Sequence, residues 1–368
     1  MDRSETRMFG RNAFRLGLFG MNCSGGLTMA SIPDRWDASW KNNLLAARMA
    51  DEAGLEFLLP IGRWLGYKGQ TDTEGTSFET LTWASSLLAA TRGVCVFGTL
   101  HVAFMNPVFA AKQIVTADHV GEGRFGLNIV SGWNADEFAM FGIPLAEHAA
   151  RYAYTEEWID VLERIWSESE PFDFDGSHFR LRGVLGKPKP HGGTRPILIS
   201  AGNSADGRAF AARHADCLFM TITELDTLRD EIQSVRAVSS RAGVYASGHL
   251  ICRATQQEAD DYYRYLVYEC GDWEAAEHAA IIRTRNRTTT FGTMKRLKER
   301  LISGVGTYPV VGSFDAVAAT FAEMSAAGLD GIALGLVNYV NDLPALRDEV
   351  LPRLERLGLR AAASASLV

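Results

Sequence analysis

Short apolar runs alternate along this chain with longer stretches whose apolar positions fall three and four apart, from Arg15 through Gly335. A continuous apolar run bounded by glycine or polar residues reads as a strand buried on both faces, and the longer spacing reads as an amphipathic helix. Strands are predicted at Arg15–Gly20, Leu55–Pro60, Val94–Leu100, 125–130, Pro196–Ala201, Cys217–Met220, near Gly248–Cys252 and at Gly331–Gly335. Helices are predicted at Trp40–Ala53, Ser77–Thr91, Pro107–His119, Arg151–Trp166, 204–214, near 223–242 and at Phe314–Ala327. Gly54 closes the first helix and Pro107 opens the third, each suited to that end. Eight strands alternating with helices are the number that closes a TIM (β/α)8 barrel, an α/β fold. An open doubly wound sheet is the alternative, although it would rarely need so many regular units.

Two segments exceed what the barrel requires, so insertions are expected after strands four and seven. Residues 168–190 hold two alternating runs about Asp175-Gly176, which reads as a β-hairpin. Residues 256–312 hold helices and then a basic, Thr-rich run, Arg283–Thr290. A long loop after the seventh strand lies over the mouth of a barrel, so this segment is expected to form a lid, with a solvated loop as the alternative. The reading is of one domain over 13–360 between flexible ends at 1–12 and 361–368.

Composition narrows the class. The 368 residues are 47% hydrophobic and 10% aromatic, enough for a large core, and the formal charge is -7 with no dense basic cluster. Nucleic acid and anionic membrane are therefore poor partners. No signal-peptide order opens the chain and no apolar run approaches the roughly 18 residues of a membrane span, so a cytoplasmic location is expected. The five cysteines are odd in number, far apart and without C-x-x-C spacing, and the histidines lack H-E-x-x-H spacing. Reduced thiols and no metal are expected.

In a barrel the reactive side chains gather at the carboxyl ends of the strands. The unusual residues there are Gly62 and Arg63 after strand two, Thr99 and His101 at strand three, Asn128 and Trp133 at strand four, and Gly202 to Ser204 after strand five. Arg151 and Tyr152 open the helix that follows strand four. Asn128 carries weight because an amide in a buried strand has no packing reason to displace valine or isoleucine. A guanidinium, hydroxyls and a helix N-terminus around one mouth suit a phosphate-bearing cofactor. Taken singly, Ser204 could only cap its helix, Arg151 could lie on the surface, and Asn128 could tie down a loop. The run Gly121–Gly126 satisfies G-x-G-x-x-G but precedes a strand, so it shapes a turn at the opposite end and no Rossmann NAD site is expected. Glu137, one turn beyond Trp133, is the acidic residue placed near the site. Trp64, Tyr67 and Phe104 with Trp133 suggest an aromatic-lined substrate pocket. Arg283, Arg285 and Arg287 could hold an anionic group there, or could face solvent.

Taken together, Gly123–Trp133, Glu137, Arg151-Tyr152 and Ala201-Gly202-Asn203-Ser204 resemble the bacterial luciferase-like, flavin-dependent monooxygenases over almost the whole chain. The most similar branch holds pyrimidine monooxygenase and dimethyl sulfone monooxygenase, and the loop Ser24–Leu27 leans toward the sulfone enzymes. The resemblance implies FMN contacted by Gly62, Arg63, Thr99, Asn128, Glu137, Arg151, Tyr152, Gly202 and Ser204, with Arg151, Tyr152 and Ser204 nearest the phosphate. It implies that Thr99, Asn128 and Trp133 hold O2 beside N5 of the reduced flavin. Gly62 departs from the pattern, where an apolar residue usually precedes the basic one.

The implied enzyme has two components, in which a separate NAD(P)H:flavin reductase supplies FMNH2. A flavin peroxide, at N5 or at C4a, would then cleave a C–S, C–N or C–halogen bond of a small sulfone, sulfonate or N-heterocycle. Relatives of this kind are commonly homo-oligomers, dimers or tetramers. Two alternatives share the barrel: an F420-dependent dehydrogenase, against which Thr99 with Asn128 argues, and a flavin-binding protein without turnover.

Overall fold

Parallel strands wound into a closed ring form the centre of the molecule, which we describe from a computed structural model over residues 5–202, 204–239, 241–285 and 293–362. The strands are β1 (Arg15–Phe19), β2 (Phe57–Leu59), β3 (Cys95–His101), β4 (Phe125–Val130), β5 (Phe172–Asp175), β6 (Arg180–Val184), β7 (Ile197–Ala201), β8 (Cys217–Met220), β9 (Gly243–Arg253), β10 (Tyr308–Ser313) and β11 (Gly331–Leu336). The ring runs β1-β2-β3-β4-β7-β8-β9-β11, and Arg15 opposite Gly331 closes it. This is the TIM (β/α)8 barrel expected from the alternation. Strands β5 and β6 pair antiparallel as a separate hairpin, with Phe174 opposite Leu181.

Around the ring lie α1 (Trp40–Glu52), α2 (Thr80–Ala90), α3 (Pro107–Val120), α4 (Ala135–Met140), α5 (His148–Ser167), α6 (Ala205–His214), α7 (Leu225–Arg236), α8 (Gln256–Arg264), α9 (Trp273–Arg285), α10 (Met294–Gly304), α11 (Phe314–Ala327), α12 (Tyr339–Ala345) and α13 (Leu351–Arg356). Their starts follow local chemistry. The Asn106 side chain accepts from Val108 N ahead of Pro107, Ser313 caps α11, and Thr255 with Glu258 forms a capping box on α8. Among the described residues no helix is long and apolar enough to cross a membrane.

Alternation along β4 decides what reaches the site. Phe125, Leu127 and Ile129 pack outward with the helices, leaving Gly126 and Asn128 on the inner face. The inner floor is aromatic: Phe57 meets Phe97, Phe219 and Tyr245 edge-on at 6.1, 6.2 and 5.9 Å. A Cβ on Gly126 would lie 2.1 Å from Phe97, so only glycine fits beneath Asn128. Met8 belongs to the same buried cluster, and Arg7 beside it pairs with Asp51 at 3.0 Å. Of the expected flexible ends, residues 1–4 and 363–368 lie outside the described residues.

Two boundaries differ from the sequence reading. The seventh barrel strand begins at Gly243, before Gly248, because Gly243, Ser247 and Gly248 interrupt its apolar run. The segment 256–312, expected to hold helices and a lid or solvated loop, also contributes β10, which pairs parallel with β9 from Tyr308 opposite Gly248 to Ser313 opposite Arg253. The strand includes Pro309, which cannot donate a ladder hydrogen bond. It is tolerated because β10 pairs on one side only, as an edge strand.

Candidate active site

Strands β3 and β4 place Thr99 opposite Asn128 at the upper end of the barrel. The Thr99 hydroxyl donates to the carbonyl of Pro60 at 2.6 Å, so its oxygen can only accept from its neighbour. Asn128 therefore turns its amide nitrogen to Thr99, at 3.2 Å, and its Oδ1 is buried with no hydrogen-bond partner. A buried carbonyl oxygen without a donor is costly unless a ligand or water meets it. Thr80 completes the support by donating to the Thr99 carbonyl at 2.6 Å.

Beyond β2, Arg63 is buried between carboxylates. Its Nε meets Glu74 at 2.5 Å, its Nη1 lies 3.6 Å from Glu137, and it donates to the Tyr67 hydroxyl at 2.9 Å. Its guanidinium carbon also lies 5.3 Å from the centre of the Trp133 ring. Nη1 makes no hydrogen bond among the described residues, and neither does Glu74 Oε1. Burial disfavours the Arg63 charge, yet Glu74, Tyr67 and Glu137 together hold it protonated. Burial raises Glu74 above the ordinary carboxylate range in spite of Arg63. Glu137 also accepts from the backbone of Trp64 and Leu65 at 2.8 and 3.3 Å, which fixes the loop carrying Arg63.

A second group lies at the starts of α5 and α6. Arg151 donates to the Gly132 carbonyl at 2.6 Å, while its buried Nε has no hydrogen-bond partner. Ser204 caps α6 by accepting from Gly207 N at 3.1 Å and is hydrogen-bonded to Tyr152. A Cβ on Gly207 would come within 2.6 Å of the Tyr152 hydroxyl, and one on Gly202 within 2.8 Å of the Gly207 backbone. These glycines let the tyrosine lie against the amino end of α6, where backbone N–H groups favour an anion. Asn203 lies outside the described residues.

A cavity of about 440 Å³ opens beside Thr99, lined among others by Gly62, Arg63, Trp64, His101 and Phe104. Phe104 stacks on His101 at 5.2 Å and on Phe141 at 4.0 Å, and Phe141 meets Trp64 at 4.9 Å. Burial, aided by the Arg63 charge, pulls His101 down to about 4, so the ring is neutral near pH 7. Tyr67 does not line this cavity. It is buried under the insertion, where Arg283 of α9 donates to its hydroxyl at 3.3 Å. Arg285 ends α9, and its side chain and Arg287 lie outside the described residues.

Sequence reasoning missed Glu74, the closest partner of Arg63. It lies in the irregular polar run Thr71–Thr76 with a positive φ of 64° and has no periodic signal to mark it. Among the described residues no group of His, Cys, Asp and Glu is arranged to hold a metal.

The family model for luciferase-like monooxygenases matches residues 14–331. An FMNH2-dependent dimethylsulfone monooxygenase of Pseudomonas fluorescens (strain Pf0-1) is 28% identical over 95% of this chain and 97% of its own. Pyrimidine monooxygenase RutA of Allorhizobium ampelinum is 25% identical over 89% and 92%. In fold, the chain is similar to a riboflavin lyase solved with modified FMN and riboflavin, with a TM-score of 0.85 and 22% identity over 95% and 93% of the two chains.

Proposed function

The chain belongs to the luciferase-like monooxygenase family, and from that premise we propose a two-component, FMNH2-dependent monooxygenase served by a separate NAD(P)H:flavin reductase. Its substrate is a small sulfone, sulfonate or N-heterocycle, whose C–S or C–N bond is cleaved with incorporation of one atom of O2. The observation that carries the reading is the set of buried polar atoms left without hydrogen bonds around one mouth: Arg63 Nη1, Asn128 Oδ1 and Arg151 Nε. A bound FMN would satisfy them, which is the fit expected of a cofactor site.

Arg151, Tyr152 and the amino end of α6 with Gly202 and Ser204 would hold the phosphate. Gly62, Arg63, Glu137 and Asn128 would line the ring, with Arg63 Nη1 and Asn128 Oδ1 as the hydrogen-bonding groups left open to it. Bound reduced FMN supplies the electrons that activate O2. Asn128 is the polar group presented to the oxygen, and Thr99 positions it, because the Thr99 proton is already given to Pro60. Trp133, held against Arg63, shields the site from water.

The test supplies the protein with FMNH2 under 18O2 together with dimethyl sulfone or uracil. One labelled oxygen per molecule of product is expected from at least one of them. Stoichiometric hydrogen peroxide with no labelled product from these probes or from methanesulfonate would refute the assignment.

A further inference from the structure

We propose that the cavity beside Thr99 selects an uncharged substrate, bound by a hydrogen bond from the His101 ring to a sulfonyl or carbonyl oxygen, and discriminates against anions such as sulfonates. The inference rests on the monooxygenase reading only in calling the occupant a substrate, and it narrows the three classes given above.

Charge is the first argument. Among the described residues the only Lys or Arg in the cavity lining is Arg63, and two carboxylates already face it, Glu74 at 2.5 Å and Glu137 at 3.6 Å. Glu79 adds another negative group to the lining, with its oxygens capping α2. A sulfonate entering here would lose water and meet no surplus positive charge. A neutral sulfone or lactam has no such cost.

Hydrogen-bond capacity is the second. Ser77 donates to the Arg63 carbonyl at 2.8 Å, Thr80 to the Thr99 carbonyl at 2.6 Å, and Thr99 to Pro60 at 2.6 Å. Those hydroxyl protons are committed. The His101 ring, also in the lining, makes no hydrogen bond among the described residues. A neutral imidazole carries one N–H donor and one acceptor, and its low proton affinity keeps it in that form across the working pH range.

Gly62 leaves the room that the His101 ring occupies. A Cβ there would lie 3.1 Å from His101 Cε1, 3.3 Å from its Nδ1 and 3.2 Å from the Thr99 methyl. With Phe104 stacked at 5.2 Å, the ring has little freedom, and the missing side chain at 62 is the space it uses. A side chain at 62 would therefore crowd both His101 and Thr99.

The test titrates the full-length, FMN-loaded protein with dimethyl sulfone, uracil and methanesulfonate. Calorimetry gives affinity, and 15N-histidine spectra, with the His101 signal assigned by its loss in His101→Leu, report contact. A neutral probe is expected to shift the His101 signal and to bind at least tenfold more tightly than methanesulfonate. His101→Leu should weaken that probe about tenfold, whereas His101→Gln, which keeps a neutral donor, should restore most of the affinity. Unfolding midpoints of both variants establish that they are folded. Methanesulfonate binding as tightly as the sulfone, an undiminished affinity in folded His101→Leu, or no binding of either neutral probe would overturn the proposal. The 18O experiment is read separately: His101-dependent binding without labelled product upholds the site and sinks the oxygenation reading, whereas labelled product from a sulfonate does the reverse.

Discussion

Replacing Arg63 by methionine removes a buried charge while keeping most of its volume, and the consequence can be worked from its neighbours. The Arg63 side chain is 5% exposed, that of Glu74 0% and that of Glu137 1%, so water cannot take over the role of the guanidinium. Breaking a buried ion pair by removing one partner costs about 3–5 kcal/mol. The loss should depend on pH. Burial already raises Glu74 with Arg63 present, and removing the cation raises it further. A carboxylate whose folded pKa lies above its unfolded value binds more protons folded than unfolded in the window between them, so stability falls as pH rises through that window. Relative to wild type, Arg63→Met should therefore lose most near neutral pH and recover toward pH 5. Urea unfolding of the FMN-free protein at pH 5 and pH 7.5 measures both. A deficit under about 1 kcal/mol, or one that does not change with pH, would mean that the carboxylates find other partners and that the cluster does not act as described.

Other outcomes follow from the same geometry. Burial pulls His101 down to about 4 and His249 to about 3 from an ordinary 6.5, so the unfolded chain binds more protons below pH 6.5. Stability should fall on acidification from pH 6.5 toward 4, by about 3 kcal/mol at pH 4 from His101 alone, and His101→Gln should flatten the slope measured by urea unfolding. Arg151→Ala should weaken FMN binding about tenfold to a hundredfold, followed by quenching of flavin fluorescence, because a charge-assisted contact is lost; an unchanged affinity contradicts the phosphate assignment. Gly126→Val must displace Phe97, so its denaturation midpoint should report a loss of about 1–3 kcal/mol, whereas a neutral result would mean that the barrel floor is loosely packed.

The barrel was legible because strands buried on both faces leave continuous apolar runs, and Asn128 was legible as the polar exception within one. The residues that fail this logic fail for physical reasons. Strand β10 carries Pro309, which is excluded from a central strand but not from an edge, and edge position is a property of the assembled sheet. Glu74 gains its meaning only by meeting Arg63 across an irregular loop. The Thr99 hydroxyl donates to the carbonyl of Pro60, a partner distant in sequence that no local pattern marks. The contacts that link Tyr67 to Arg63 and to Arg283 join three separate stretches of chain, so they too carry no local signal.

The most direct test of the central claim is a rapid-mixing trace of the protein-bound reduced FMN as oxygen is added, in wild type and in Asn128→Ala. The account predicts that reoxidation in the wild type departs from that of free FMNH2 and that the variant returns toward the free rate. Reoxidation at the free rate in both proteins, with FMNH2 bound, would contradict a role for this site in directing oxygen.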